Sequence, residues 1–257
     1  MKLICDERDL TFDGDIVIED VKYEPYKIKS TVVACKDASD ASGFFFKGEP
    51  TRVKIEGYIR GDTVSAKREL MRLCVPNKKF ALDDGTGYLL ELYADSGLEM
   101  SSAEHLKGKV QKFTLSAVAP SHLWKGPRRS QLFYSCAGVS TDKNAIKVTN
   151  VGDESVGMVL KVLAVTKLDS VLLKIGNQII SYEDSLVGGD LLFIDTRLGK
   201  KSVMLQKNGT EELISVMEKV NPSSQFFELA TGENRIDFNV VNGMTHITVI
   251  YTPVYLR

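Results

Sequence analysis

The residues whose types could do chemistry crowd into one stretch, Glu228 to Pro253, reading "ELATGENRIDFNVVNGMTHITVIYTP". Glu233, Asp237, Asn239 and His246 surround Gly232 and Gly243, and carboxylates beside a histidine are the material of general acid–base catalysis. Their spacing assigns them elsewhere. Ile236, Phe238 and Val240 occupy every second position after Gly232, and Ile247, Val249 and Tyr251 do the same after Asn242-Gly243. That is a hairpin, with the Asn-Gly pair suited to two positive-φ turn positions. Glu233, Asp237 and Asn239 then fall on the solvent face of a strand, where carboxylates are ordinary residents.

The other candidate chemistry thins out in the same way. His105, His122 and His246 have no neighbouring His, Cys or carboxylate at a metal-ligand spacing, and no nucleophile motif accompanies them. Cys5, Cys35, Cys74 and Cys136 are far apart, without a Cys-x-x-Cys pair, which predicts free thiols rather than a zinc site or a disulfide framework. "DDGTG" at Asp83–Gly87 lacks the spaced acids of a calcium loop and reads as a hairpin tip, as does "NGT" at Asn208–Thr210. No phosphate-cradling glycine loop is present. The expectation is a protein with no catalytic, cofactor or metal residues.

"WKGPRR" at Trp124–Arg129 has the composition of a small phosphate or nucleic-acid patch, but it sits where alternation lapses and reads as a linker. A formal net charge of -1 supplies no broad basic footprint for nucleic acid or anionic membrane. "MKLICDERDL" has no continuous apolar run of a secretory signal. "GMVLKVLAV" at Gly157–Val165 is interrupted by Lys161 and falls short of the ~18 apolar residues of a membrane span.

The elements behind these residues follow an all-β rhythm. "DIVIEDV", "RVKIEGYI", "YLLELYA", "KFTLSAV", "AIKVTNV" and "LLFID" alternate between apolar and polar residues, each bounded by turn formers. One segment breaks the rhythm. In "DTVSAKRELMRLCVP", Ala66, Leu70, Leu73 and Cys74 form one apolar stripe opposite Lys67, Glu69 and Arg72, so an amphipathic helix is predicted, capped by Asp62 or Thr63 and stopped by Pro76. "EELISVMEKV" at Glu211–Val220 supports either a short helix or a strand with a bend. The expected organisation is a β-sandwich domain over 1–122, a linker over 123–130 and a second β-sandwich over 131–257.

The order of these elements, with "FTLSAVAPSHLW" at the end of the first half, "GDLLFIDTR" at Gly189–Arg197, and the "GEN" turn at Gly232–Asn234 leading into the last hairpin, resembles the distal tail proteins of long-tailed phages and prophages. The resemblance implies a first domain that assembles into a homo-hexameric ring and a galectin-like second domain on the periphery. It implies a structural hub between the tail tube protein and the tail-tip and receptor-binding proteins, located in the virion tail and in the host cytoplasm during assembly. It requires no contact with nucleic acid or membrane. By this analogy the segment around Thr63–Tyr93 embraces a neighbouring subunit, and the interface candidates are Ala66, Leu70, Leu73, Phe80, Leu82, Tyr88 and Leu90. The competing readings are a carbohydrate-binding accessory module for host-surface adsorption and a hydrolase with a scattered site; the only Trp lies outside the second half, and no motif supports hydrolysis.

Overall fold

The computed structural model describes residues 1–25, 27–33, 43–60, 63–102, 110–136 and 145–257. Cys35, His105 and the Asp62 cap lie outside the described residues. The chain divides into two compact units, the first comprising Met1–Lys125 with Leu256–Arg257 and the second Gly126–Tyr255.

Unit 1 contains β1 (Lys2–Cys5), β2 (Arg8–Asp9), β3 (Ile16–Tyr23), β4 (Ile28–Val33), β5 (Gly43–Gly48), β6 (Thr51–Arg60), α1 (Thr63–Leu73), β7 (Lys79–Asp83), β8 (Leu89–Ser102), β9 (Val110–Ala119) and β10 (Leu123–Lys125). Seven of the strands follow one hydrogen-bonded path, β2-β1-β7-β8-β9-β6-β3, and β10 pairs with β8. Among the described residues these strands trace one continuous antiparallel path. Irregular pairing at Ile18/Asp20 and at Ala94/Leu98 supplies the local bends that let one sheet enclose a core. Alternation decides which residues enter it: Val53, Ile55 and Ile59 from β6 and Phe113, Leu115 and Ala117 from β9 are buried. Gly57 is required at its position, because a Cβ there would lie 2.1 Å from the Val17 carbonyl oxygen and 2.8 Å from the Phe113 ring.

Unit 2 contains β11 (Arg129–Cys136), β12 (Ala145–Asn150), β13 (Met158–Ala164), β14 (Ser170–Ile175), β15 (Gln178–Tyr182), β16 (Leu191–Asp195), β17 (Ser202–Gln206), β18 (Leu213–Ser215), β19 (Gly232–Val241) and β20 (Met244–Tyr251); β21 (Val254–Leu256) follows. These form a six-stranded sheet, β11-β20-β13-β16-β17-β18, and a four-stranded sheet, β12-β19-β14-β15. Leu160, Val162, Ile194, Val203, Ile247 and Val249 from the first sheet share one core with Val148, Val171, Leu173, Ile180, Ile236 and Phe238 from the second. This is a β-sandwich. The terminal hairpin turns as its sequence predicts, with φ of 58° at Asn242 and 85° at Gly243.

Two further segments take their shape from neighbouring strands. In the 123–130 segment, read from the sequence as the linker, β10 and β11 occupy all but Gly126–Arg128. Its basic residues flank strands that alternation alone did not reveal. Of the two alternatives for Glu211–Val220, the structure takes the strand with a bend: β18 is followed by a single 3₁₀ turn at Met217–Lys219, because Val203 and Leu205 of β17 offer that segment a strand partner.

Candidate subunit interface

Helix α1 forms because its apolar residues recur at helical spacing, and it divides into two faces. Ala66, Leu70 and Leu73 turn inward, with Leu70 and Leu73 0% exposed. The hairpin β7–β8 contributes Phe80, Leu82 and Leu90 to the same core, and Tyr88 packs against its margin. All seven sequence-derived interface candidates are thus brought together, but inside their own unit. A short helix has to cover its apolar stripe, and the sheet of unit 1 already does so.

The outward face carries Val64 (61% exposed) and Met71 (54%), with Val75 (53%) just beyond the helix. Beside it, Lys67, Met71, Cys74, Gly97, Leu98 and Met100 line an open groove of about 410 Å³ between α1 and the second half of β8. Sequence reading passed over this face because Val64 and Met71 are isolated among charged residues; their separation of two helical turns was the available signal.

A second feature escaped the sequence reading entirely. Strands β4 and β5 pair through a six-residue register, Ile28 with Gly48 to Val33 with Gly43, and with no other strand among the described residues. Two-stranded ribbons are marginal in water without further packing. Neither "IKSTVV" nor "GFFFKG" alternates, so neither stood out.

The electrostatics of unit 1 are structural. Burial alone would raise the Glu91 carboxyl, but hydrogen bonds from Lys125 and Lys79 reverse this and hold it below its usual 4.5; the nitrogens lie 2.6 Å and 2.7 Å from Oε1. Asp84 is likewise lowered against burial by the Thr86 hydroxyl, the Thr86 and Tyr88 amides and Arg257. Arg257 pairs with the Asp84 carboxylate and lies over the Tyr88 ring, 3.9 Å from its centroid. Burial pushes the Cys5 and Cys74 thiols up, which lowers their reactivity.

The carboxylates of the terminal hairpin are engaged on the surface of its strands: Glu233 lies 3.2 Å from Lys147 and Asp237 2.7 Å from Arg235. His246 sits within β20, opposite Tyr134 of β11 and Leu163 of β13. The "GEN" turn is held by Asn234, 5% exposed, whose Nδ2 donates to the carbonyls of Ala230 (2.7 Å) and Gly232 (3.0 Å) and whose Oδ1 accepts the Ala230 amide (2.9 Å). In "GGDLLFID", buried Asp190 accepts the amides of Val187 and Asn208, each at 2.9 Å, and so ties two turns together. Both motifs are scaffolding. Among the described residues, no three His, Cys, Asp or Glu side chains gather as metal ligands, and no helix is long and apolar enough to cross a membrane.

Residues 151–255 match the family model of the siphovirus-type tail component, C-terminal domain. No curated protein matches the sequence. Among solved structures, the chain is similar to the SPP1 Dit protein, described as a paradigm of the hub adsorption apparatus in Gram-positive infecting phages, with a TM-score of 0.69 at 12% identity over 99% of both chains. It is also similar to a chain of the phage P2 baseplate in its activated conformation with calcium, with a TM-score of 0.54 at 8% identity over 95% of this chain and 92% of that one. At these identities the structural likeness is one of fold. The second unit thus matches the siphovirus-type tail component, C-terminal domain, and the chain shares its fold with the SPP1 Dit protein along nearly its whole length.

Proposed function

We propose that this protein is a structural hub of a phage tail, assembling as a hexameric ring that joins the tail tube to the tail-tip and receptor-binding apparatus. The observation that carries the reading is the likeness to the SPP1 Dit hub protein along 99% of both chains, which includes both units rather than the matched C-terminal domain alone. Unit 1 provides the ring contacts. The outward face of α1, with Val64, Met71 and the groove to Leu98 and Met100, is one apolar surface; the β4–β5 ribbon is a backbone-rich arm suited to packing on a neighbour. A head-to-tail contact of two different surfaces closes a ring when its rotation divides the circle. Unit 2, galectin-like in this reading, lies outside the ring-forming contacts of unit 1, and 1–125 and 126–255 act as separate folding domains.

Light scattering and negative-stain imaging across a concentration series test the reading. Six-fold rings, in solution or in the intact tail, support it. A monomer at every concentration together with particles that lack such a ring overturns it.

A further inference from the structure

We propose that the six-stranded sheet of unit 2 extends edge to edge into the same sheet of a second copy, with β18 of one chain antiparallel beside β11 of the next. The two strands are the opposite edges of one sheet. Every neighbouring pair within it is antiparallel, so across six strands β11 and β18 run in opposite directions. A translated copy therefore presents β11 to β18 in the orientation that continues the ladder.

The side-chain faces agree as well. Leu132 pairs with Thr248, Thr248 with Lys161, Lys161 with Phe193, Phe193 with Met204 and Met204 with Ser215, which traces one face from edge to edge. Leu213, two residues from Ser215, lies on that face. Setting Leu213 opposite Leu132 of the neighbour joins two leucines that are 49% and 51% exposed. In that register the start of β11, at Arg129 with Arg128 before it, meets the end of β18, where the 3₁₀ turn carrying Glu218 follows. None of Arg128, Arg129 and Glu218 takes part in a described ion pair, so the charges are complementary and available.

The backbone of β18 is ready for a partner. The Val216 amide donates inward to the Val203 carbonyl at 3.0 Å, so by alternation the N–H and C=O groups of Leu213 and Ser215 point away from β17. Edge strands are ordinarily guarded by lysine, proline or a bulge. The β3 edge of unit 1 has its irregularity at Ile18/Asp20, whereas β18 reads Leu-Ile-Ser with all three residues exposed.

The test mixes two full-length variants, Leu132→Cys and Leu213→Cys, oxidises them mildly and maps disulfide-linked peptides by mass spectrometry, with the unmodified chain giving the background from native cysteines. The expected product joins position 132 of one chain to position 213 of the other. Predominance of 132–132 or 213–213 links, or no link above background at high protein concentration, overturns the proposal. Ser215→Pro removes an outward donor without touching the ladder to β17, so it should reduce the 132–213 yield about fivefold while thermal unfolding is unchanged; an undiminished yield overturns the pairing. Met71→Glu on α1 separates this contact from the ring contact of unit 1: persistence of the 132–213 link in that background supports strand pairing as a contact of its own, and its loss overturns that independence.

Discussion

The Tyr251 hydroxyl donates a 2.6 Å hydrogen bond to the carbonyl oxygen of Thr149, 102 residues away in sequence. Tyr251 closes β20 of the six-stranded sheet and Thr149 lies in β12 of the four-stranded one, so the bond crosses the sandwich at a buried ring. Tyr251→Phe keeps the ring and loses the donor. The expected cost is about 1 kcal/mol, seen as a fall of roughly 4 °C in the unfolding transition of unit 2 by calorimetry. No change would mean that the bond contributes nothing net.

Asn234 has a larger role than its place in a turn suggests. Asn234→Ala removes two donated bonds and one accepted bond and leaves the Ala230 amide and carbonyl without that partner. A loss of about 2–3 kcal/mol is expected in urea unfolding followed by circular dichroism, with Asn234→Asp intermediate because it keeps the acceptor.

Leu70 and Met71 are adjacent in sequence and opposite in consequence. Leu70→Glu places a carboxylate in a fully buried site and should unfold unit 1, while Leu70→Ala should cost about 2–5 kcal/mol. Met71→Glu, on the exposed face, should leave the fold unchanged and weaken ring formation. Sedimentation alongside circular dichroism separates the outcomes; rings that survive Met71→Glu would remove α1 from the interface.

The acid response of unit 1 can be followed through Trp124, the only Trp in the chain, which is 6% exposed and 6.2 Å from the Tyr23 ring between centroids. The carboxyls of Glu91, Asp84 and Asp9 are all held below their usual values. A carboxyl depressed in the folded state contributes stability above its unfolded value and loses that contribution as pH falls through the folded one. The urea midpoint read by Trp fluorescence should therefore be level near neutrality and decline below the ordinary Glu value of 4.5. A midpoint that rises on acidification would contradict this.

How much of this was legible in the sequence depended on period. Strands with strict alternation, such as β6 and β9, and the stripe of α1 could be read directly, because burial of one face leaves a pattern of 2 or 3.6 residues. The ribbon β4–β5 could not, since "GFFFKG" is a continuous apolar run without period, and β10 is too short to show one. The helix stripe revealed that α1 buries a face but not against what. The same three residues would serve a neighbour or their own sheet, and the periodicity alone does not show that they join the core containing Leu3, Ile55 and Leu92. The carboxylates of the terminal hairpin were correctly read as surface residues, while Asn234, polar and buried, left no periodic trace beyond the glycine before it.

Residues 256–257 return to unit 1 after the chain has completed unit 2. Unit 2 is thus a loop whose two ends are both fixed in unit 1, and synthesis orders the consequences. The Asp84–Arg257 pair cannot form until all of Gly126–Tyr255 has left the ribosome, by which time unit 2 has had the opportunity to fold. Closing that pair then costs only the entropy of joining the ends of a compact body rather than of a 130-residue coil. A single backbone cut at Arg128–Arg129 would sever the first crossing and leave only the noncovalent hold of Leu256–Arg257, such as the Asp84–Arg257 pair, so a nicked chain should run as one species under native conditions and as two fragments once denatured.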